Sequence, residues 1–256
     1  MRLRMLLLAL AALMTVAAVP ASAHEFVVKP VKAAVKAGEK LTLSALSAHV
    51  FMVSEELEDP ANVKIKAVDA AGTSSEVAVT ANKATLAYDG QTSFAKPGYG
   101  MLLGHRLPEV WTKTPEGMKK GTKADFPGAT VSNLYEKFCK TLIVVDKADD
   151  GWKKSAGHKL EIMPLADPAG YKAGQEAAFQ ILVDGKPQSA EVFATCDGYT
   201  KTPNSYGWYT ETDDKGVAQV KFSQKGLWMV RVQHKAPGKD GITEHVMRSV
   251  LVFAVN

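Results

Sequence analysis

Histidine is the residue type with which this chain can do most chemistry, and the sequence contains six histidines. Imidazole nitrogen binds nickel, cobalt, copper and zinc alike. Five of them are candidate metal ligands: His24, His49, His105, His234 and His245. The sixth, His158, follows Gly157 in a hydrophilic stretch and is predicted to be exposed to solvent.

His24 stands apart because of the segment that precedes it. Residues 1–23 begin with Arg2 and Arg4, continue with an apolar run and end in the small residues 21–23. This is the three-part pattern of a secretion signal, and it is too short for a convincing transmembrane span. Cleavage after Ala23 would make His24 the first residue. Its α-amine, with a pKa of about 8, could then close a chelate ring with its own imidazole around a metal ion. The alternative is that a histidine follows the cleavage site by chance.

The other four candidates could complete a site with His24. His49 lies just past a predicted strand, near the rim of its sheet. His234 and His245 flank the loop of a predicted hairpin, where opposed Cβ atoms are about 5 Å apart. His105 could approach His24 if the segment after it folds over. For each of them a plain structural role, such as a hydrogen-bonded or exposed histidine, is the alternative.

Composition and charge narrow the classes of protein. The chain is 46% hydrophobic and 23% charged, which is ordinary for a globular protein. The formal charge of +4 includes Arg2 and Arg4, so the processed chain is too weakly basic to indicate nucleic-acid binding. After the signal no apolar run could span a bilayer, which predicts a periplasmic protein that is not inserted in the membrane. Cys139 and Cys196 could pair in that compartment or remain two buried thiols.

The pattern of short alternating runs predicts an all-β protein. Residues 40–45 and 63–68 alternate polar and apolar side chains, and Gly, Pro, Asp and Asn interrupt the runs. We predict two β-sandwich domains after a signal peptide at 1–23, one at 24–150 and one at 151–256. The second has seven short strands in about 100 residues, which is typical of an immunoglobulin- or transthyretin-like sandwich. Residues 108–133 show no clear period and are predicted to form a long loop.

Several runs of residues resemble a known family. The run at 157–168 has the form G-x-x-L-E-I-x-P-x-x-x-P, and the processed chain would begin directly after Ala23 with His24-Glu25-Phe26. Further matching runs are Tyr171-Lys172-Ala173-Gly174-Gln175, Leu182-Val183-Asp184-Gly185-Lys186-Pro187, Thr212-Asp213-Asp214-Lys215-Gly216 and Gly226-Leu227-Trp228. Together they resemble the secreted bacterial proteins grouped as domain of unknown function 4198. The resemblance spans essentially the whole processed chain.

The resemblance implies a periplasmic β-sandwich component of a cobalt or nickel uptake system. Only His24 carries over with a specific role, as the exposed first residue, and Val28 departs from the larger apolar or aromatic residue expected there. The predicted function is therefore a periplasmic transition-metal-binding protein, not an enzyme, that assists nickel or cobalt uptake. Copper is a further candidate ion, and an inner-membrane metal permease is the expected partner.

Two other functions are compatible with the sequence. One is a carbohydrate or cell-envelope binding module, because Tyr199, Tyr206, Trp208 and Tyr209 crowd one segment; these rings could instead cover the edge of a sandwich. The other is a copper-dependent oxidative enzyme in which an amino-terminal histidine and a second histidine hold the metal. The sequence has no G-x-S-x-G, H-E-x-x-H or P-loop motif, so a hydrolytic or nucleotide-driven reaction has no support.

Overall fold

The structure is a computed structural model that describes residues 24–256, so the predicted signal peptide lies outside the described residues. Its regular structure consists of strands and four short 3-10 helices. The strands are β1 (Glu25–Pro30), β2 (Ala34–Val35), β3 (Leu41–Ala48), β4 (Val63–Val68), β5 (Ser74–Glu76), β6 (Val79–Asn82), β7 (Ala87–Thr92), β8 (Gly98–Thr114), β9 (Gly117–Lys120), β10 (Ser132–Val145), β11 (Leu160–Pro164), β12 (Glu176–Val183), β13 (Lys186–Pro187), β14 (Glu191–Cys196), β15 (Trp208–Glu211), β16 (Val217–Lys221), β17 (Gly226–Pro237) and β18 (Glu244–Val255). The 3-10 helices are Pro60–Asn62, Lys123–Asp125, Asp150–Lys153 and Pro168–Gly170.

A ten-stranded sheet forms the centre of the molecule. Its main order is β15-β14-β17-β18-β10-β8-β4-β5, while β2 pairs with β10 and β9 pairs with β8. Both of its faces are buried, because alternate side chains of β10 enter different cores. Cys139 and Ile143 lie in one core, whereas Phe138 and Leu142 lie in the other. The central strands therefore belong to two sandwiches at once.

Each face of the central sheet is covered by a smaller sheet. The sheet β1-β3-β7-β6 covers one face and encloses the first core, where Phe26, Leu43 and Leu102 are almost fully buried. The sheet β11-β12-β13, with β16 paired to β12, covers the other face and encloses the second core around Phe179 and Phe253. The prediction of an all-β protein built from two β-sandwiches is confirmed.

The predicted division at residue 150 separates the two small sheets but not the central one. Strands β14, β15, β17 and β18 follow residue 150, yet they share a sheet with β4, β8 and β10, which precede it. The junction is a parallel pairing of β10 with β18 that runs from Asn133 opposite Glu244 to Thr141 opposite Val252. Because β18 is buried, the backbone N–H and C=O groups along both of its edges need hydrogen-bond partners. The neighbouring strands β17 and β10 supply them. The segments 24–150 and 151–256 are therefore parts of one β structure.

The prediction of a long loop at 108–133 is wrong for half of that segment. Strand β8 continues to Thr114 and turns into β9, and this hairpin pairs Trp111 with Lys120 and Thr114 with Gly117. All four residues of β9 are exposed, and the buried side chains at the end of β8 are the polar Thr112 and Thr114, so the hairpin lacks the apolar alternation that marks a half-buried strand. The connection from β9 to β10 is residues 121–131, and these lie outside strands.

A row of buried cations crosses the central sheet on the face of the first core. Lys137 of β10 lies opposite Arg248 of β18 and opposite Arg106 of β8, and all three are less than 10% exposed. We call these three residues the buried cation row. The carboxylate of Glu58 accepts hydrogen bonds from Lys137 Nζ at 2.9 Å and from Arg106 Nε at 3.1 Å. Glu25 accepts one from Arg231 Nε at 2.7 Å and lies near Arg248.

Replacing Glu58 should destabilise the fold severely. In Glu58→Gln, Lys137 loses the carboxylate that its ammonium contacts at 2.9 Å, while Arg106 keeps its ion pair with Glu109, and an unpaired buried charge costs about 3–5 kcal/mol. We expect a loss of that size in the free energy of unfolding measured with urea. Asp150→Asn is the matched control, because the Asp150 carboxylate is 81% exposed and pairs only with Lys153. Equal stability of the two variants would contradict the role of the Glu58 contacts.

The same carboxylate should make the fold sensitive to acid. Burial acts to raise the pKa of Glu58, but the charges of Lys137 and Arg106 outweigh it and lower this pKa from 4.5 to about 2. Since the pKa is lower in the folded chain, the stabilisation is complete above about pH 4.5 and is lost as the pH falls towards 2. Unfolding free energies measured across this range should fall less steeply for Glu58→Gln than for the parent. Parallel curves would show that Glu58 does not contribute.

Candidate metal centre

The pairing of β1 with β3 brings His24 and His49 together. In this antiparallel register Glu25 lies opposite Ala48, so His24, one residue before β1, and His49, one residue after β3, are the next opposed pair. Their ring centroids are 3.9 Å apart and the rings are tilted by 41°. The two side chains are 20% and 15% exposed. Both imidazoles are therefore partly buried and still accessible from the surface.

The segment after β3 turns back and brings two carboxylates to the histidines. A bridge between Val50 and Val53 closes a tight turn, and a second bridge pairs Ser47 with Glu56. The turn places Met52 at a φ of 69°, in the left-handed region that most side chains avoid. This conformation puts Glu55 beside the ring of His49.

The carboxylates contact both rings. Glu55 Oε2 lies 2.7 Å from His49 Nδ1 and 3.6 Å from His24 Nε2, while Glu56 Oε2 lies 2.9 Å from His24 Nδ1. The backbone N–H of Asn204 donates to the carbonyl of His49 at 3.0 Å. The segment between β14 and β15 thus also holds the site in place.

These groups could hold a metal ion. One donor atom each from His24, His49 and Glu55 lies within 4.8 Å of the others, and among residues 24–256 no other group of three His, Cys, Asp or Glu residues meets this criterion. Two imidazole nitrogens and a carboxylate oxygen suit divalent nickel, cobalt, copper or zinc. The donor chemistry of the residues present therefore fits a divalent transition metal.

The electrostatics of the site favour neutral histidine and ionised glutamate. Burial, and then the neighbouring His49, lower the pKa of His24, although Glu56 and Glu55 act in the opposite direction. Burial acts to raise the pKa of Glu55, but hydrogen bonds from His49 and the backbone N–H of Val50 bring it below its ordinary value. Since metals bind the deprotonated forms of both groups, the site is prepared for a cation near neutral pH.

The other three predicted ligands do not join this site. His105 stacks on Phe138, with ring centroids 4.9 Å apart, and Phe138 lies in the second core. His234 and His245 share strand faces with Val232 and Met247 of that same core. His105, His234 and His245 therefore lie on the opposite face of the central sheet from His24 and His49. The prediction that they could complete the His24 site is wrong. The face of the central sheet to which each side chain points depends on strand pairings that the sequence does not show.

His158 also differs from its prediction. It is only partly exposed, its ring stacks on Phe138 at a centroid distance of 5.0 Å, and burial lowers its pKa to about 4. Conversely, the sequence analysis did not identify Glu55 and Glu56 as site residues. Their signal was an acidic run, 55–58, that begins six residues after His49.

The crowded aromatic residues do not form a common binding surface. Tyr206 and Tyr209 pack on Phe193 with ring centroids 5.0 and 5.1 Å away. Trp208 turns to the second core and donates its Nε1–H to the Gln219 carbonyl at 2.9 Å. Because Trp208 and Tyr209 are neighbours on an edge strand, they project to opposite faces. Tyr206 and Trp208 therefore pack against the sandwich, whereas Tyr199 and Tyr209 remain 45% and 50% exposed.

The cysteines cannot take part in the metal site. Cys139 and Cys196 are both buried and free, and they lie in the first and second core respectively. They therefore do not pair in this structure. Among the described residues, no helix has the length and apolar character needed to cross a membrane.

Comparisons with known proteins give one family and several distant structures. The family model described as "Domain of unknown function (DUF4198)" matches residues 21–236. Comparison with curated proteins gives no match.

The solved structures found are similar only at low identity. The D0-D1 domain of intimin is 14% identical over 90% of this chain and 98% of that chain, with a TM-score of 0.23. A DUF4785 family protein from Legionella pneumophila is 9% identical over 90% of this chain and 46% of that chain, with a TM-score of 0.27. The ectodomain of mouse nectin-like molecule 4 is 10% identical over 91% of this chain and 65% of that chain, with a TM-score of 0.22. These values are too low to indicate a function.

Proposed function

The chain belongs to the family Domain of unknown function (DUF4198), and from that premise we propose that it is a periplasmic divalent-metal-binding protein that assists nickel or cobalt uptake. The observation that carries the proposal is the convergence of donor atoms from His24, His49 and Glu55 within 4.8 Å of one another. In this role the protein is a carrier and not an enzyme. The metal is its cargo.

The amino terminus would supply a further donor. If a signal is cleaved after Ala23, the α-amine of His24 becomes free and can bind the same ion as its imidazole. The amine, two imidazoles and one carboxylate would then provide four donors, which suits the tetragonal geometry of divalent nickel or copper. His24 lies directly before β1, so its backbone nitrogen is held in place by the pairing of β1 with β3.

The choice of ion follows from donor type and from the family resemblance. The site has nitrogen and oxygen donors and no thiolate, which disfavours copper(I). Copper(II) would bind an N/O site of this kind more tightly than nickel or cobalt, so selectivity for nickel or cobalt must come from the supply of ions or from the geometry of the site. Partial exposure of His24 and His49 would allow the ion to pass to a permease.

Blocking the amine should weaken binding. Protein that begins at His24 is compared calorimetrically with protein that carries one extra residue before His24, each titrated with nickel, cobalt, copper and zinc. We expect affinity to fall about tenfold or more in the extended protein, because the chelate ring cannot close. Equal affinity would indicate that only side chains bind the metal ion. Absence of binding in both proteins would refute the proposal.

Removing a side-chain ligand should have a larger effect than removing a distant histidine. His49→Ala and Glu55→Gln should each weaken binding at least about tenfold, since even the outer partners of metal ligands contribute that much. His234→Ala is the matched control, because His234 lies on the other face of the central sheet. Binding should also weaken below about pH 6, where protons compete for the imidazoles.

One measurement separates carrier from oxidative enzyme. A close pair of histidines that includes the first residue of the processed chain could also hold a redox-active copper ion. Hydrogen peroxide production by copper-loaded protein with a reductant would support that enzyme class and contradict a carrier role. We expect no peroxide above that of the His49→Ala variant.

A further inference from the structure

A second cluster of histidine and carboxylate lies on the opposite face of the central sheet. It draws one residue from each of three neighbouring strands: His105 from β8, Glu136 from β10 and His245 from β18. The pairing of β8 with β10 changes register at Glu136, and such irregularities redirect side chains at many functional sites. Glu136 is only 3% exposed. A carboxylate is thus deeply buried between two imidazoles.

The two oxygens of Glu136 have different surroundings. Oε1 lies 2.8 Å from His105 Nε2, within hydrogen-bond distance. Oε2 lies 2.9 Å from His245 Nε2 and 3.6 Å from Nζ of Lys159. The side chain of Lys159 is 56% exposed. The ammonium is therefore free to move away from the carboxylate.

Three buried polar atoms in this cluster have no hydrogen-bond partner within residues 24–256. They are Glu136 Oε2, His245 Nε2 and His158 Nδ1. The first two lie 2.9 Å apart and still make no hydrogen bond, so the nitrogen is not directed at the oxygen. Buried polar atoms are nearly always satisfied, and exceptions in one place point to an ion or a water molecule. Here the unsatisfied atoms are a carboxylate oxygen and an imidazole nitrogen, both of which bind cations.

Their separation is that of two ligands of one ion. Zinc and similar ions lie about 2.1 Å from nitrogen and oxygen ligands. An ion at that distance from two atoms 2.9 Å apart sees them at an angle of about 90°, as neighbouring ligands in an octahedral site do. Cavities of about 390 and 370 Å³ lie beside the cluster, the first lined by His105 and His158 and the second by His245, and Glu136 lines neither of them. An ion would reach Glu136 past these histidine side chains.

We propose that His245 Nε2 and Glu136 Oε2 bind a second divalent transition-metal ion, independent of the His24 site. His105 is a positioning residue, because its contact with Oε1 fixes the carboxylate and leaves Oε2 for the metal. Water completes the coordination. With two protein ligands, this site binds more weakly than the first, whose three donors converge.

The decisive experiment isolates the second site. The first site is removed in a His24→Ala/His49→Ala double variant of the processed protein, which is titrated calorimetrically with nickel, cobalt or zinc ions alone. We expect one remaining ion per chain, and loss of that ion when His245→Ala is added. Absence of binding in the double variant, or unchanged binding after His245→Ala, overturns the proposal. Failure of the first site leaves this result unaffected, so the two proposals are tested separately.

The exposed Lys159 gives a second test that does not disturb the core. Its ammonium competes with the metal for Glu136 Oε2, so Lys159→Gln should strengthen binding at the second site about fivefold, the effect of removing one charge near 4 Å in water. Lys153→Gln is the control, since Lys153 pairs with Asp150. Weaker or unchanged binding in Lys159→Gln would contradict the assignment of Oε2 as a ligand.

The positioning role of His105 is tested by a pair of variants. His105→Leu removes the donor to Oε1, and His105→Gln retains an N–H donor on a side chain of similar reach. We expect the affinity of the second site to fall about tenfold in His105→Leu and to recover at least partly in His105→Gln. The thermal stabilities of the metal-free variants are compared as well, and they should be equal. Equal loss in both variants would show that His105 acts in another way.

Discussion

The structure depends on the neutralisation of cations inside a sheet. Arg106, Lys137 and Arg248 lie side by side on three central strands, and their charges can be buried only if carboxylates lie beside them. Glu58 pairs with Lys137 and Arg106, Glu25 lies 3.7 Å from Arg248, and Glu109 also pairs with Arg106. Glu25 directly follows His24, and Glu58 lies a few residues after Glu55 and Glu56. The ion pairs of Glu25 and Glu58 therefore also fix both chain segments that carry the candidate metal ligands.

The central sheet separates the histidines into two sets. His24 and His49 lie on the face of the first core, whereas His105, His158, His234 and His245 lie towards the second. Each set has glutamates, but their burial differs. Glu55 and Glu56 are in an accessible turn, and Glu136 is deep inside. The carboxylates of the first set are thus open to the surroundings, whereas that of the second set is shielded from them.

Local patterns allowed part of this to be predicted. Alternation within short runs identified the β class and most strands, and His24 was identified from the signal before it. The sequence did not show that β10 pairs with β18, since a parallel contact between residues 133 and 244 leaves no local mark. That pairing places His245 beside β10. It also joins strands from before and after residue 150 in the central sheet, so residue 150 is not a boundary of that sheet. The hairpin of β8 and β9 was missed because its exposed or polar side chains give no apolar alternation. Glu55 and Glu56 were missed because an irregular turn orients them.

The parallel contact of β10 with β18 also has a kinetic meaning. Strand β18 (Glu244–Val255) lies in the middle of the central sheet, between β17 and β10, although it is the last strand in chain order. Neither core can close until this segment is in place, and a long stretch of chain must be brought together first. Loop closure over such separations costs entropy before any contact is gained, so proteins of this topology fold in about milliseconds to seconds. During that time Glu25, Glu58 and the cations that they pair with remain in water, and a chain interrupted before β18 would expose both half-formed cores to aggregation.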